Sequence, residues 1–248
     1  MTIWEAQKEQ LKSIKNRSFK EQISYLWEYY GIKAICLLVA IAALIAFIVT
    51  LATKKDYAFT GVFFGAQLQT SSESYLEEFS QSAGIDPKEY EISIQCNPGI
   101  HMDQQVTQEL YGTMDAFNAM VAAKSVDCLA ANTELFLYYA YMEYAVDLRT
   151  VLKPEELEHL SPYLHYIDGE LIRQQEEADG GLTDAFFQRS DSTKPELMTD
   201  PIPVGISLEA ATDAFREAYL FQEDSIIGIC AVSPFPENAQ AFLHYCLK

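Results

Sequence analysis

Residues 34–52, from Ala34 to Ala52, run for nineteen positions without a charged side chain. As a helix rising about 1.5 Å per residue the run reaches ~28 Å, the thickness of a bilayer's hydrocarbon core. A buried helix of this length in a globular core carries a polar stripe; here Thr50 is the lone polar residue. Lys33 closes one end, Thr53-Lys54-Lys55-Asp56 the other, and Tyr25, Trp27, Tyr29 and Tyr30 precede it as an interfacial aromatic belt. No small-x-small cleavage site follows and the run exceeds a signal-peptide core, so an uncleaved signal anchor is expected.

Charge assigns the sides. Residues 1–55 hold eight Lys/Arg against four Glu, net +4; residues 56–248 hold nine against 32 Asp/Glu, net −23. The positive-inside rule then predicts three parts: a cytoplasmic juxtamembrane helix over 1–32, a transmembrane helix over 33–53, and an extracytoplasmic domain over 54–248 of a single-pass cell-membrane protein. Trp4, Leu11, Ile14 and Ile23 place an apolar face beside lysines in the first part, which suits either a membrane surface or a solvated helix. The acidic surface of the last part serves solubility, or a preference for cationic ligands or basic partners. It argues against nucleic acid, which needs clustered Lys/Arg. The partners expected are membrane lipid, a small polar solute and an envelope protein.

The outer part alternates in period. Ala58–Gly65 reads as a buried strand, Ser71–Ala83 as a helix capped by Ser72 or Ser74, and Tyr90–Cys96 as a second strand ended by Asn97-Pro98-Gly99. Asp103–Lys124 reads as an amphipathic helix with Val106, Leu110, Met114, Phe117 and Val121 on one face. Val126–Ala131 reads as a third strand, followed by a helix capped through Asn132-Thr133-Glu134. This β-α-β-α-β order predicts an α/β fold with a parallel sheet. Further on, Lys153-Pro154 opens a short helix, Leu164–Ile172 reads as a hairpin turning at Asp168-Gly169, and residues 176–200 read as loop. Pro201–Leu208 and Ser225–Val232 read as strands and Pro236–Leu247 as a closing helix.

In a parallel sheet the ligand sits beyond the C-terminal strand ends. That selects Phe64, Gln67, Asn97, Asn132, Thr133, Glu134 and Tyr138 as candidate ligand-binding residues: amides and hydroxyls for a polar solute, aromatic rings for stacking. Asn97 also suits a turn before Pro98, and Asn132 and Thr133 suit helix capping. Catalytic signatures such as G-x-S-x-G, H-E-x-x-H or a Walker loop do not occur, so no enzyme, cofactor or metal is expected. His101 with Asp103, and His165 with Asp168, fit loop or hairpin positions. Cys96, Cys128, Cys230 and Cys246 suit two disulfides or four buried thiols.

Two segments resemble the type 2 periplasmic solute-binding proteins. One is Ser125-Val126-Asp127-Cys128-Leu129-Ala130, followed by Thr133–Tyr141 and Val146-Asp147-Leu148. The other is Ile227–Ser233 leading into Glu237–Leu247 with its A-x-x-F-L-x-Y pattern. The resemblance covers 58–150 and 200–248. It implies a solute-binding-protein-like fold with a reduced second lobe, since the outer part is short for that family. The anchor and its flanks also resemble single-span membrane proteins of Gram-positive bacteria. Together these imply a tethered module that binds or senses a small polar ligand, or a structural or assembly subunit of an envelope complex that keeps the fold without the ligand.

Overall fold

A computed structural model describes residues 19–53, 55–99, 108–177 and 181–247. The chain divides into two compact units between Lys54 and Lys55.

The first unit is built on helix α1, Phe19–Thr53. Its Gly31–Thr50 stretch has a mean hydropathy of 2.9, and residues 35–50 are all exposed. It is the one helix among the described residues long and apolar enough to cross a membrane. Thr50 Oγ1 donates to Ala46 O at 2.9 Å, so the one hydroxyl in the apolar run is satisfied within its own helix. The lysine-rich face expected around Trp4, Leu11 and Ile14 lies outside the described residues.

The second unit is an α/β domain around one six-stranded sheet. Its strands are β1 (Asp56–Phe64), β3 (Tyr90–Asn97), β4 (Cys128–Asn132), β5 (Leu164–Asp168), β6 (Pro201–Ser207) and β8 (Ser225–Ile229), in the order β3-β1-β4-β8-β6-β5. β3 and β4 flank β1 in parallel, as the β-α-β-α-β reading predicts. The parallel expectation fails beyond that point. β8 inserts antiparallel to β4, β6 is antiparallel to β8, and β5 is antiparallel to β6. The sheet is therefore mixed, with β3, β1, β4 and β6 sharing one direction. The chain between Tyr141 and Ser225 adds β5 and β6 to this same sheet. Two short strands, β2 (Ala66–Leu68) and β7 (Tyr219–Phe221), form a separate antiparallel ribbon.

The period-2 pattern of β1 builds two cores. Phe59 and Phe63 enter one with Phe79, Phe215, Tyr219 and Phe242; Val62 and Phe64 enter the other with Phe117, Leu135, Phe136 and Tyr139. The first is covered by α2 (Ser72–Ser82), α8 (Asp213–Ala218) and α9 (Pro236–Cys246). There Phe242 stacks on Phe59 at 4.5 Å and meets Phe79 edge-on at 5.0 Å. The second is covered by α3 (Gln108–Ala122), α4 (Thr133–Tyr141) and α7 (Leu182–Gln188). The start expected for α3 at Asp103 lies outside the described residues, as does His101. α2 ends where Gly84 takes φ +69°, a conformation glycine adopts without a Cβ penalty. Its cap position is Ser71. Ser72 and Ser74 donate backwards to the carbonyls of Gln69 and Ser71 and do not cap the helix. α5 (Pro154–Leu160) opens as read, with Pro154 in its first turn and the Glu156 carboxylate accepting the Lys153 N–H at 2.7 Å.

The Asp168-Gly169 hairpin does not form. β5 stops at Asp168 and α6 (Gly169–Glu177) begins. The Asp168 carboxylate accepts N–H bonds from Glu170, Thr199 and Asp200, so it caps the helix and ties down the approach to β6. A Cβ on Gly169 would lie 2.6 Å from Ile202 Cδ1, so this glycine serves a close approach. The expected 176–200 loop contains α7. All five cysteines are free, three of them buried. Cys128 and Cys230 belong to opposite cores, which keeps the sheet between their side chains.

Candidate functional site

The shared end of β1, β3, β4 and β6 collects the connections of the domain. After β1, Gly65 turns with φ +74° and donates its N–H to Asn97 O at 2.9 Å, closing the ends of β1 and β3. The β2–β7 ribbon stands at this end, with Gln67 opposite Leu220. Asn132 ends β4 and caps α4: Oδ1 accepts the Leu135 N–H at 3.0 Å, while Nδ2 donates to Glu223 Oε2 at 2.9 Å. That second bond fastens the turn between β7 and β8 to the end of the parallel strands.

Two open cavities flank the Asn132–Glu223 bond. The first, about 370 Å³, lies against the first turn of α4. It is lined by Thr133, Glu134 and Leu137 and by the segment Arg189–Ser192. Glu134 and Arg189 form an ion pair at 2.5 Å. The Arg189 guanidinium also sits 3.9 Å over the Phe186 ring and donates to Phe186 O at 2.8 Å, so its position is held from three sides. Asp191 accepts from Lys194 and Thr193, which hold its carboxyl down at about 2 and keep it ionised. His165 Nδ1 lies 2.8 Å from Ser192 Oγ, and Tyr166 N donates to Ser192 O at 2.8 Å. Burial pushes the imidazole pKa down, favouring its neutral form. Together these two bonds pin the 189–194 segment to β5. The cavity thus offers hydroxyls, one fixed guanidinium and two carboxylates.

The second cavity, also about 370 Å³, is formed by the end of β6, by α8, by β7 and by the turn into β8. Its residues all fall between Ser207 and Ser225, a segment in which only the ends were read as strand. The signal that marks it in the sequence is the aromatic cluster Phe215, Tyr219 and Phe221 beside Glu223-Asp224.

The seven residues expected at the strand ends separate into groups. Thr133 and Glu134 line the first cavity. Asn132 fastens the two cavities' walls together. Gln67 and Asn97 are half-buried within their strands. Phe64 is 1% exposed, its ring edge-on to Phe117 at 5.5 Å and stacked on Tyr139 at 6.3 Å, because alternation along β1 turns it into the second core. Tyr138 packs edgewise on Tyr139 and Phe186. Among the described residues no group of three His, Cys, Asp or Glu side chains is gathered as a metal site.

Fold and site define an α/β domain with a mixed six-stranded sheet, joined in sequence to a helix able to span a membrane. Compared with protein-family models, curated proteins and solved structures, the chain matches none of them.

Proposed function

We propose that this chain is a membrane-anchored module whose domain, residues 55–248, stands on the extracytoplasmic side and binds a small polar solute. The observation that carries the reading is the polar cavity at the first turn of α4, where Thr133 and Glu134 meet Arg189 beyond the end of β4. The parallel pairing of β1 with β3 and β4 supports the same reading, because it gathers strand ends beside this cavity. A panel of small polar solutes tests it. A solute at one hundred times its Kd stabilises the folded state by about 2.7 kcal/mol. For a domain of this size that is a rise of roughly 5–10 °C in Tm. The rise is expected from one solute class and is expected to shrink in Thr133→Val and Glu134→Gln.

A second reading, a scaffold subunit of an envelope complex, is favoured by a different observation. Residues 55–248 cluster as one unit, and Tyr139 and Tyr141, each 1% exposed, fill the interior behind α4. If no solute class raises Tm and a protein partner co-purifies stoichiometrically from detergent extracts, this reading replaces the first. Both readings share an orientation. Protease added to intact cells (with the wall removed) is expected to digest the domain and leave a protected fragment containing α1; protection of the domain reverses the assignment.

A further inference from the structure

We infer that the second cavity at the strand ends is a binding site for an organic ammonium ion carrying an aromatic or alkyl group. This goes beyond the polar-solute site and rests on the same reading that ligands bind at this end of the sheet. The accessible wall of the cavity is apolar. Leu220 is 50% exposed and Phe221 is half-buried, its ring stacked on the buried Phe215 at 6.2 Å. About 370 Å³ is within the range of small-ligand pockets.

The rim is acidic. Glu209, Glu223 and Asp224 border it and are exposed. The one cation, Arg216, is engaged by its own chain: Nη2 donates to Glu209 O at 2.7 Å, and Nη1 lies 3.7 Å from Asp213 Oδ1. Three carboxylates against one engaged guanidinium leave the mouth negative. Glu223 is also held in place, its carboxylate by Asn132 Nδ2 and its carbonyl by Ser225 Oγ at 2.9 Å. A net charge of −23 over residues 56–248 attracts cations from a distance.

The two parts of the pocket select a ligand jointly. Exposed carboxylates bind a bare ammonium weakly, because water competes and salt screens. An apolar body alone gains burial but nothing from the rim. A ligand with both buries its body against Leu220 and Phe221 and leaves its charge among Glu209, Glu223 and Asp224, where the Phe221 ring adds attraction. An anionic analogue meets repulsion.

The test uses the full chain in detergent micelles, with empty micelles as the partition control, and three probes of one shape: phenethylamine, 2-phenylethanol and 3-phenylpropanoate. By calorimetry, phenethylamine is expected to bind at least tenfold tighter than the alcohol, with no detectable binding of the carboxylate. Glu223→Gln with Asp224→Asn is expected to weaken phenethylamine about tenfold and leave the alcohol unchanged. Phe221→Ala is expected to weaken both. Equal affinity for the three probes, no binding of phenethylamine, or indifference to the double variant overturns the assignment. A polar solute whose Tm shift depends on Glu134 leaves the binding module standing even then. Loss of that shift with phenethylamine binding intact removes the α4 cavity and keeps this one. Basic peptides that bind through Glu223 while phenethylamine does not would assign the pocket to a protein partner and overturn the small-molecule site.

Discussion

Asp127→Ala is expected to lower the Tm of the domain by roughly 6–12 °C, a loss of about 3 kcal/mol. Asp127 is 1% exposed, and every hydrogen-bonding group it owns is in use. Its carboxylate accepts from Thr60 N at 2.7 Å, Ser233 Oγ at 2.5 Å and Phe235 N at 3.2 Å. Its own N–H donates to Thr60 O at 2.8 Å, and its carbonyl accepts from Cys230 N at 2.7 Å. One side chain therefore joins the middle of β1, the entry to β4 and the turn between β8 and α9. Hydrogen bonds to a charged acceptor contribute about 1.5–3 kcal/mol each; alanine leaves the buried Thr60 N–H unpaired and takes the acceptor from the half-buried Ser233 hydroxyl, while the Phe235 N–H keeps Ser233 Oγ at 3.2 Å. Part of this is offset, because the carboxylate's own desolvation cost disappears with it. Asp127→Asn keeps one acceptor oxygen and is expected to lose about half as much.

The same residue gives a pH signature. Burial pushes the Asp127 pKa above its usual 3.8, against the opposing pull of Ser233, Thr60 and Phe235. A carboxyl with a raised folded-state pKa binds its proton more tightly in the folded chain. Its contribution is fully present below the unfolded value and is lost as pH rises through the folded value. Denaturation midpoints of wild type and Asp127→Asn, measured upward from below pH 3.8, are therefore expected to draw together through that window and then stay parallel. A gap that widens with rising pH would refute the buried-carboxylate account.

Local periodicity made the first half of the domain legible. β1, α2, β3, β4 and α4 each announce themselves by alternation or by a 3.6-residue stripe, and successive parallel strands with helical crossovers follow from chain connectivity. Strand direction past α4 is not a local property. Pro201–Ser207 and Ser225–Ile229 read as strands, but where each inserts depends on which edge is still free after β4 has paired with β1. Asp168-Gly169 was misleading because one dipeptide serves two devices. Asp caps a helix as readily as it opens a turn, and the choice here was made by Thr199 and Asp200, 31 and 32 residues on. The site was legible to the same degree. Thr133 and Glu134 follow from the β4–α4 junction, where a strand end and a helix start must coincide. Phe64 was misassigned by one step of alternation, which exchanges solvent for core. The acidic-rimmed pocket was hidden because its aromatic floor becomes a wall only when α8 folds over β7.

Gly228→Ala carries a comparable cost, about 3 kcal/mol, for a steric reason. Phe136, fully buried on α4, rests its ring in a hollow left by two glycines on adjacent strands, Gly205 of β6 and Gly228 of β8. A Cβ at Gly228 would stand 2.6 Å from Phe136 Cζ and 2.7 Å from Val204 O; one at Gly205 would run into Ile226 Cγ2 and stand 2.6 Å from Phe136 Cε1. Overpacking of this kind costs about 1–3 kcal/mol, and more where the obstructing atom is backbone. Phe136→Leu is therefore expected to recover part of the loss at each position: Ile226 Cγ2 still obstructs a Cβ at Gly205, and the Val204 carbonyl, which cannot retreat without breaking the sheet, still obstructs one at Gly228. Urea midpoints of the single and double variants give the coupling energies, expected above about 1 kcal/mol in both cycles. Purely additive losses would mean that Phe136 does not fill this hollow. Phe136 also lies three residues after Thr133 on α4. Each glycine variant that folds is thus expected to weaken solute binding at the α4 cavity, and Phe136→Leu is expected to recover part of binding and stability together.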